Sequence, residues 1–142
     1  MMKLTFLGTS SGTPTRHRNV SGLAVQTVLG ADWFLIDCGE GTQHRVLQTP
    51  LSLNDLAAVC ITHVHGDHCY GLPGLLASAG MGKRTKPLKL IAPLPVWEWF
   101  EATRRLTDLH LPYEVEHVDL ENEALVYDVP GLRIDRHVLR HR

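Results

Sequence analysis

The segment ITHVHGDH, at positions 61–68, constrains this chain more than any other, because four side chains of the kind that bind metal ions follow directly on an apolar run. The run, LAAVCI at positions 56–61, lies in a segment whose length and composition predict a buried strand at 56–62. Open α/β sheets bind their ligands beyond the carboxyl ends of the strands. We therefore expect the functional site of this protein to lie at the end of that strand.

The spacing within this segment predicts a zinc site. His63 and His65 are two residues apart, so in an extended backbone both imidazoles lie on one face and can reach one ion. Gly66 permits a turn that brings Asp67 and His68 round to a second position. Imidazole and carboxylate groups are common zinc ligands. The alternative is a loop of surface histidines, which the complete pattern disfavours. Four ligand-type residues within six positions indicate two adjacent ions rather than one.

A second acidic residue follows another apolar run. Asp37 comes directly after WFLI, at positions 33–36, and is followed by the glycine-containing segment 38–41. An aspartate in this place is either a turn-capping residue or a hydrogen-bond acceptor that orients a metal-bound histidine. The residues alone leave both interpretations open.

The bulk composition indicates an ordinary globular chain. Its 142 residues suffice for one compact domain. The net charge of −1 does not indicate a nucleic-acid-binding protein, so any such role must depend on local basic residues. The three cysteines have no spacing typical of a disulfide framework, and they predict reduced thiols in a cytoplasmic protein. No apolar run predicts a membrane span or a signal peptide, so we expect no membrane partner.

The order of the predicted elements is that of an α/β fold, since several strands come first and strands then alternate with helices. The pattern predicts strands at 3–7, 22–29, 32–37, 56–62, 88–91, 113–120, 124–127 and 132–138, and helices at 42–48, 73–79 and 95–106.

Four further motifs identify a family. They are FLGTSSGTP at 6–14, RHRN at 16–19, DCGEGTQH at 37–44 and GLPGL at 71–75. Together with the histidine cluster they resemble ribonuclease Z, also called tRNase Z, the tRNA 3′-processing endoribonuclease of the metallo-β-lactamase superfamily. The resemblance runs from Met2 to the last residue.

For the fold, the resemblance implies the N-terminal half of a four-layer αβ/βα sandwich, with residues 1–142 forming the N-terminal part of a single domain whose C-terminal part is absent. Family members are longer. Their second half supplies an aspartate that bridges the zinc ions, another histidine ligand, the histidine that protonates the leaving group, and an arm that grips tRNA. We therefore expect this chain alone to form a homodimer through its uncovered sheet face and to be inactive as a monomer.

For the activity, the resemblance implies hydrolysis of a phosphodiester with two Zn²⁺ ions in the complete site. The enzyme removes the 3′ trailer of precursor tRNA just after the discriminator base and leaves a 3′-hydroxyl. By this resemblance His63 and His65 bind the first zinc, Asp67 and His68 bind the second, and Asp67 accepts the proton of the attacking water. Asp37 then takes the orienting role.

Further site residues follow from the same resemblance. His141 is the candidate third histidine for the first zinc, with His137 as its competitor. In the loop at 8–14, Thr9 and Ser10 are candidates for phosphate contacts, and Arg16 and Arg18 are candidates for RNA backbone contacts. Two other functions stay open: another superfamily phosphodiesterase or hydrolase, and a catalytically inactive metal-binding module.

Overall fold

A six-stranded mixed sheet is the centre of the fold in the computed structural model, which describes residues 1–122, 125–129 and 131–140. Its strands lie in sequence order: β1 (Met2–Gly8), β2 (Gly22–Thr27), β3 (Trp33–Ile36), β4 (Leu56–Cys60), β5 (Leu88–Ala92) and β6 (Val115–Asp119). The first three pair antiparallel, whereas β3 to β6 pair parallel. The carboxyl ends of β3 and β4 therefore lie side by side.

Helices cover one face of this sheet. They are α1 (Thr42–Val46), α2 (Gly66–Cys69), α3 (Leu72–Met81) and α4 (Leu94–Leu106), together with a 3-10 turn at Leu53–Asp55. Pro95 lies in the first turn of α4, where its missing amide hydrogen costs no hydrogen bond. Val96 and Phe100, four residues apart, turn the buried side of this helix to the sheet. Burial of such side chains is the main stabilisation of this layer.

The opposite face of the sheet is covered only in part. A hairpin of β7 (Leu125–Val129) and β8 (Leu132–Asp135) forms a separate two-stranded sheet, and Leu132 and Ile134 pack into a second apolar cluster with Val25. On the edge strand β1, Leu4 pairs with Val25 and Phe6 pairs with Leu23, so these side chains share that face. Leu4 and Phe6 are nevertheless exposed, so the apolar face extends beyond its cover.

A buried arginine ties together the amino ends of the parallel strands. Arg84 has no exposed surface, and its guanidinium donates hydrogen bonds to five backbone carbonyls. The acceptors are the carbonyl oxygens of Leu53, Asn54, Leu56, Lys86 and Pro87. Burial lowers the pKa of Arg84. This cluster lies at the end of β4 that is remote from the histidines.

The structure confirms the α/β class and the main elements predicted from the sequence. Two local differences matter for the site. The residues after Gly66 form the short helix α2 rather than a plain turn, and β8 ends at Asp135, earlier than the predicted end at Val138. Within the described part of the chain, no helix has the length and apolar character needed to cross a membrane.

Candidate metal centre

The histidine cluster begins where β4 ends. The Ile61 amide still donates to Ile91 on β5, at 2.8 Å, and the chain then leaves the sheet. The rings of His63 and His65 have centroids 4.8 Å apart, and those of His63 and His68 are 4.0 Å apart. The structure thus brings together the three imidazoles that the sequence predicted to share a site.

Helix α2 is held against the segment that follows β3. The Cys38 amide donates to the His68 carbonyl at 2.8 Å, and the Gly71 amide donates to the Cys38 carbonyl at 3.0 Å. A Cβ atom at position 39 would lie 2.4 Å from the Asp67 carbonyl oxygen, so only glycine permits this close approach. The glycine that follows Cys38 is therefore needed to set the distance between α2 and the end of β3.

Asp37 is the buried centre of the polar network. Its backbone has a φ of 62°, a left-handed conformation that aspartate tolerates better than most residues. Its carboxylate accepts hydrogen bonds from the Thr62 amide at 2.8 Å, from the Thr62 hydroxyl at 2.9 Å and from the Ser21 hydroxyl at 3.3 Å. Nδ1 of His68 lies 2.6 Å from the same carboxylate. This arrangement is that of an aspartate that orients a histidine.

The two ring nitrogens of His68 face two carboxylates. As a carboxylate, Asp37 can only accept, so Nδ1 of His68 carries the hydrogen and Nε2 is left with its lone pair. Nε2 lies 3.3 Å from Oδ2 of Asp67. Two ligands on one tetrahedral zinc, with bonds of about 2.0–2.1 Å, are separated by roughly 3.3–3.4 Å. His68 and Asp67 therefore fit a shared ion.

Asp67 also holds the loop that follows β1. The Gly12 amide donates to Oδ2 of Asp67 at 3.0 Å. Burial acts to raise the Asp67 pKa, but the Gly12 hydrogen bond and the neighbouring His68 and His63 outweigh it and bring the pKa below its ordinary value. The side chain is consequently a stable carboxylate that combines loop anchoring with a free lone pair for coordination.

The donor set fits a metal ion chemically but is not closed around one. Among residues 1–122, 125–129 and 131–140, no three His, Cys, Asp or Glu side chains are grouped as a ready-made metal site. The arrangement instead places the ligand-type pair of His68 and Asp67 beside the rings of His63 and His65. These donor types, imidazole nitrogen and carboxylate oxygen, suit zinc, and more ligands are needed to complete two ions.

Two residues, His137 and His141, are candidates for the third histidine of the first zinc. His141 lies outside the described residues. His137 is exposed and borders a cavity of about 810 Å³, whose lining also includes Thr62 and His63. Arg136 and Arg140 border the same cavity. The choice between His137 and His141 therefore stays a prediction.

The loop after β1 approaches the site through its backbone. Residues 11–18 are exposed, Arg16 and Arg18 among them. Thr9 is exposed as well, while the Ser10 hydroxyl donates to the Thr13 carbonyl and the Ser10 amide donates to Asn19. Roles of these residues in phosphate or RNA contacts stay predictions.

Sequence reasoning missed three contributors to this network. Ser21 and Thr62 bind the Asp37 carboxylate, and Gly12 binds Asp67. Thr62 directly precedes the first histidine, and its position next to a ligand-type residue was the available signal. Nothing in the sequence pointed to Ser21.

Comparison with known proteins finds one matching family model and many similar relatives. The family model for Anti-Pycsar protein Apyc1 matches residues 2–100. Curated relatives named ribonuclease Z include proteins from two strains of Pseudomonas putida, 57% and 52% identical over 141 residues, and one from Brevibacillus brevis, 39% identical over 142 residues. Each alignment covers 99% of this chain and 44% of the relative. The chain thus spans less than half the length of these relatives.

Solved structures support the fold. Human tRNase Z, short form, superposes with a TM-score of 0.77 at 30% identity, covering 84% of this chain and 45% of that one. The metallo-β-lactamase fold protein YhfI from Bacillus subtilis superposes with a TM-score of 0.71 at 22% identity, covering 91% of this chain and 50% of that one. The described architecture is therefore that of part of a metallo-β-lactamase fold.

Proposed function

Because this chain belongs to the family that the Apyc1 model describes and, within the metallo-β-lactamase fold, to the ribonuclease Z proteins, we propose that it is part of a zinc-dependent endoribonuclease. The enzyme hydrolyses the phosphodiester that joins the 3′ trailer to precursor tRNA and leaves a 3′-hydroxyl on the tRNA. Its partner is precursor tRNA, and it acts in the cytoplasm. Residues 1–142 are the N-terminal part of its single catalytic domain.

The observation that carries this proposal is the pair formed by His68 and Asp67. Nε2 of His68 and Oδ2 of Asp67 are 3.3 Å apart, and the opposite ring nitrogen of His68 is held by Asp37. A histidine fixed by a carboxylate on one nitrogen, with the other directed at a second donor, is the usual construction of a protein zinc site. His63 and His65 supply the donors for the other ion in this proposal.

When bound by these residues, zinc would make the attacking water more acidic and would neutralise charge on the phosphate. The chain supplies the proton acceptor and its orientation. Asp67 has a lowered pKa, so it is an ionised but weak base, and it suits a water molecule that has already been made acidic. The Gly12 amide donates to Oδ2 of Asp67 and thereby fixes the orientation of the carboxylate. Thr9, Ser10, Arg16 and Arg18 are proposed contacts to the RNA backbone.

Self-association is a further part of the proposal. The exposed Leu4 and Phe6 continue an apolar sheet face, and such a patch favours contact with a second copy when nothing else covers it. The isolated 142-residue chain is therefore proposed to form a homodimer.

A second candidate function is hydrolysis of a smaller phosphodiester. The match of residues 2–100 to the Apyc1 model keeps this candidate open, because that match covers the whole histidine cluster and its family description does not name ribonuclease Z. The same metal chemistry would serve both substrates, so the residues of the site do not separate them.

The test uses the full-length gene product. Zinc is counted by elemental analysis, and cleavage is assayed on precursor tRNA and on the small diester bis(p-nitrophenyl) phosphate. We expect cleavage after the discriminator base, and the His63→Ala/His65→Ala double variant should lose most zinc and all cleavage. His110→Ala, at an exposed histidine paired with Asp108, is the matched control. Unchanged zinc content in the double variant, or turnover of the small diester alone, would contradict the proposal.

A further inference from the structure

The hydroxyl of Thr62 lies between a carboxylate and a histidine. Its Oγ1 is 2.9 Å from Oδ1 and 3.0 Å from Oδ2 of Asp37, and 2.9 Å from Nδ1 of His63. The Thr62 amide also donates to Oδ1 of Asp37, at 2.8 Å. The backbone contact holds the hydroxyl against the carboxylate, so all three distances belong to one fixed arrangement.

Counting hydrogens decides the direction of each bond. A threonine hydroxyl has one hydrogen to donate, and a carboxylate can only accept. If Thr62 donated to His63, its oxygen would face two Asp37 oxygens within 3.0 Å without a hydrogen between them, which is repulsive. If Thr62 donates to Asp37, then Nδ1 of His63 must carry a hydrogen and donate to Oγ1. Only the second assignment satisfies every contact.

We propose that Thr62 is a positioning residue that passes the orienting effect of Asp37 on to His63. The hydrogen bonds run from Nδ1 of His63 to the Thr62 hydroxyl and from there to Asp37, which fixes His63 with Nε2 as its coordinating nitrogen. Asp37 thereby orients two histidines, His68 by direct contact and His63 through Thr62. This inference rests on the proposed zinc site for its purpose, but the hydrogen-bond chain itself does not.

The consequence is preorganisation of the donor atoms. A free neutral histidine side chain in water favours the tautomer with hydrogen on Nε2, the atom that must be without hydrogen to bind a metal here. Without the Thr62 hydroxyl, Nδ1 of His63 loses the acceptor that holds its hydrogen, so the ring loses this bias towards the tautomer that binds metal. Loss of comparable outer contacts lowers metal affinity by about 10–100-fold. For Thr62→Val we expect zinc affinity to fall by about tenfold, the lower end of this range, because the backbone of His63 stays in place.

The test reads the tautomer directly. The metal-free full-length gene product, labelled with ¹⁵N-histidine, is studied by long-range ¹H–¹⁵N correlation, and zinc affinity is measured by competition with a chromophoric chelator. In the unmodified protein and in Thr62→Ser, which retains the hydroxyl, His63 should carry its hydrogen on Nδ1. In Thr62→Val it should shift to Nε2, with about tenfold weaker zinc binding. Ser21→Ala is the matched control for the tautomer: Ser21 contacts Asp37 but is not part of the chain to His63, so the hydrogen on Nδ1 of His63 should be retained.

Two results would overturn the inference. One is hydrogen on Nε2 of His63 in the unmodified protein, a result that does not depend on whether any variant folds. The other is a Thr62→Val variant, folded by circular dichroism, with the original tautomer and zinc affinity. Neither measurement involves RNA, so failure of precursor tRNA cleavage leaves this inference standing, while failure of the tautomer assignment leaves the proposed activity standing.

Discussion

The ring of His68 joins two carboxylates: Nδ1 lies 2.6 Å from Oδ2 of Asp37, and Nε2 lies 3.3 Å from Oδ2 of Asp67. Asp37 is buried at the end of β3, whereas Asp67 lies on α2 at the surface of the site. The contact with Asp37 therefore restrains the His68 ring, and with it the position of Nε2 relative to Asp67.

Asp37→Asn should weaken zinc binding by about 10–100-fold, because both Asp37 oxygens accept from donors and asparagine has only one acceptor oxygen, so its amide nitrogen must face a donor in either orientation. Asparagine tolerates the left-handed backbone at this position, so the change isolates the carboxylate. Zinc affinity is measured by chelator competition in the full-length gene product. Asp32→Asn, at an exposed carboxylate near Lys86, is the control. Equal affinities for the two variants would contradict the orienting role.

Asp67→Asn should reduce cleavage of precursor tRNA by about 10²–10⁴-fold, the usual contribution of a positioned proton acceptor. RNA affinity in a gel-shift titration should be largely kept, since phosphate contacts made elsewhere persist. Asp108→Asn, at an exposed carboxylate that pairs with His110, is the control. A rate for Asp67→Asn within about tenfold of the unmodified enzyme, or about 1.4 kcal/mol, would show that Asp67 is not the base.

Arg84→Met should lower the free energy of unfolding by about 3–5 kcal/mol, because it leaves buried carbonyls without donors. The carbonyls of Leu53 and Leu56 lose their bonds at the start of β4, far from the histidines at its other end. Zinc affinity at a temperature where the variant is folded should therefore be unchanged. Arg105→Met, at an exposed arginine of α4, should cost less than about 1 kcal/mol. Equal effects in urea denaturation would refute the structural role.

Alkaline pH should destabilise the fold through its buried thiols. Burial raises the pKa of Cys38 and of Cys60 to about 12. Since the unfolded thiols titrate near 8.5, the unfolded state binds fewer protons between about pH 9 and 12, and stability falls there by up to about 1.4 kcal/mol per pH unit for each thiol. Below that window these thiols contribute no pH dependence. Urea denaturation at pH 7.5, 9 and 10.5 should show a shallower decline for Cys60→Ala; an unchanged slope would contradict the assignment.

The sequence predicted the parts of the site that depend on local spacing. A two-residue separation puts His63 and His65 together whatever the rest of the fold does, and the apolar run before them predicts the strand that presents them. The four family motifs predicted the fold through the resemblance that they carry. These signals are local or belong to the family resemblance, and neither requires knowledge of strand register.

The contacts that hold the site depend on that register. Ile36 pairs with Cys60 across the parallel strands β3 and β4, and the Asp37 amide donates to Cys60 at 2.7 Å. This pairing places Asp37 beside Thr62, 25 positions away along the chain. A shift of one residue would turn the side chain to the other face, so no inspection of residue types alone could have found the contact. The bond from Gly12 to Asp67 depends in the same way on how the loop after β1 folds.

The last prediction concerns the 142-residue chain by itself, which should associate in solution and show no trimming of precursor tRNA. Leu4 and Phe6 lie exposed on an edge strand, and both the apolar patch and the open strand edge favour contact between copies. The second ion would have only Asp67 and His68 from the described residues, and two protein ligands do not hold zinc firmly.

Purified chain of confirmed mass is therefore expected to bind at most one zinc tightly and to elute as a dimer or larger species in size-exclusion chromatography with light scattering. Leu4→Glu/Phe6→Glu should shift it to the monomer and leave the remaining zinc binding unchanged, because these side chains lie on the sheet edge rather than at the histidines. Leu106→Glu, at an exposed leucine of α4, should leave association unchanged. Cleavage after the discriminator base by the monomer would overturn the prediction, since the monomer would then hold every group that the reaction needs.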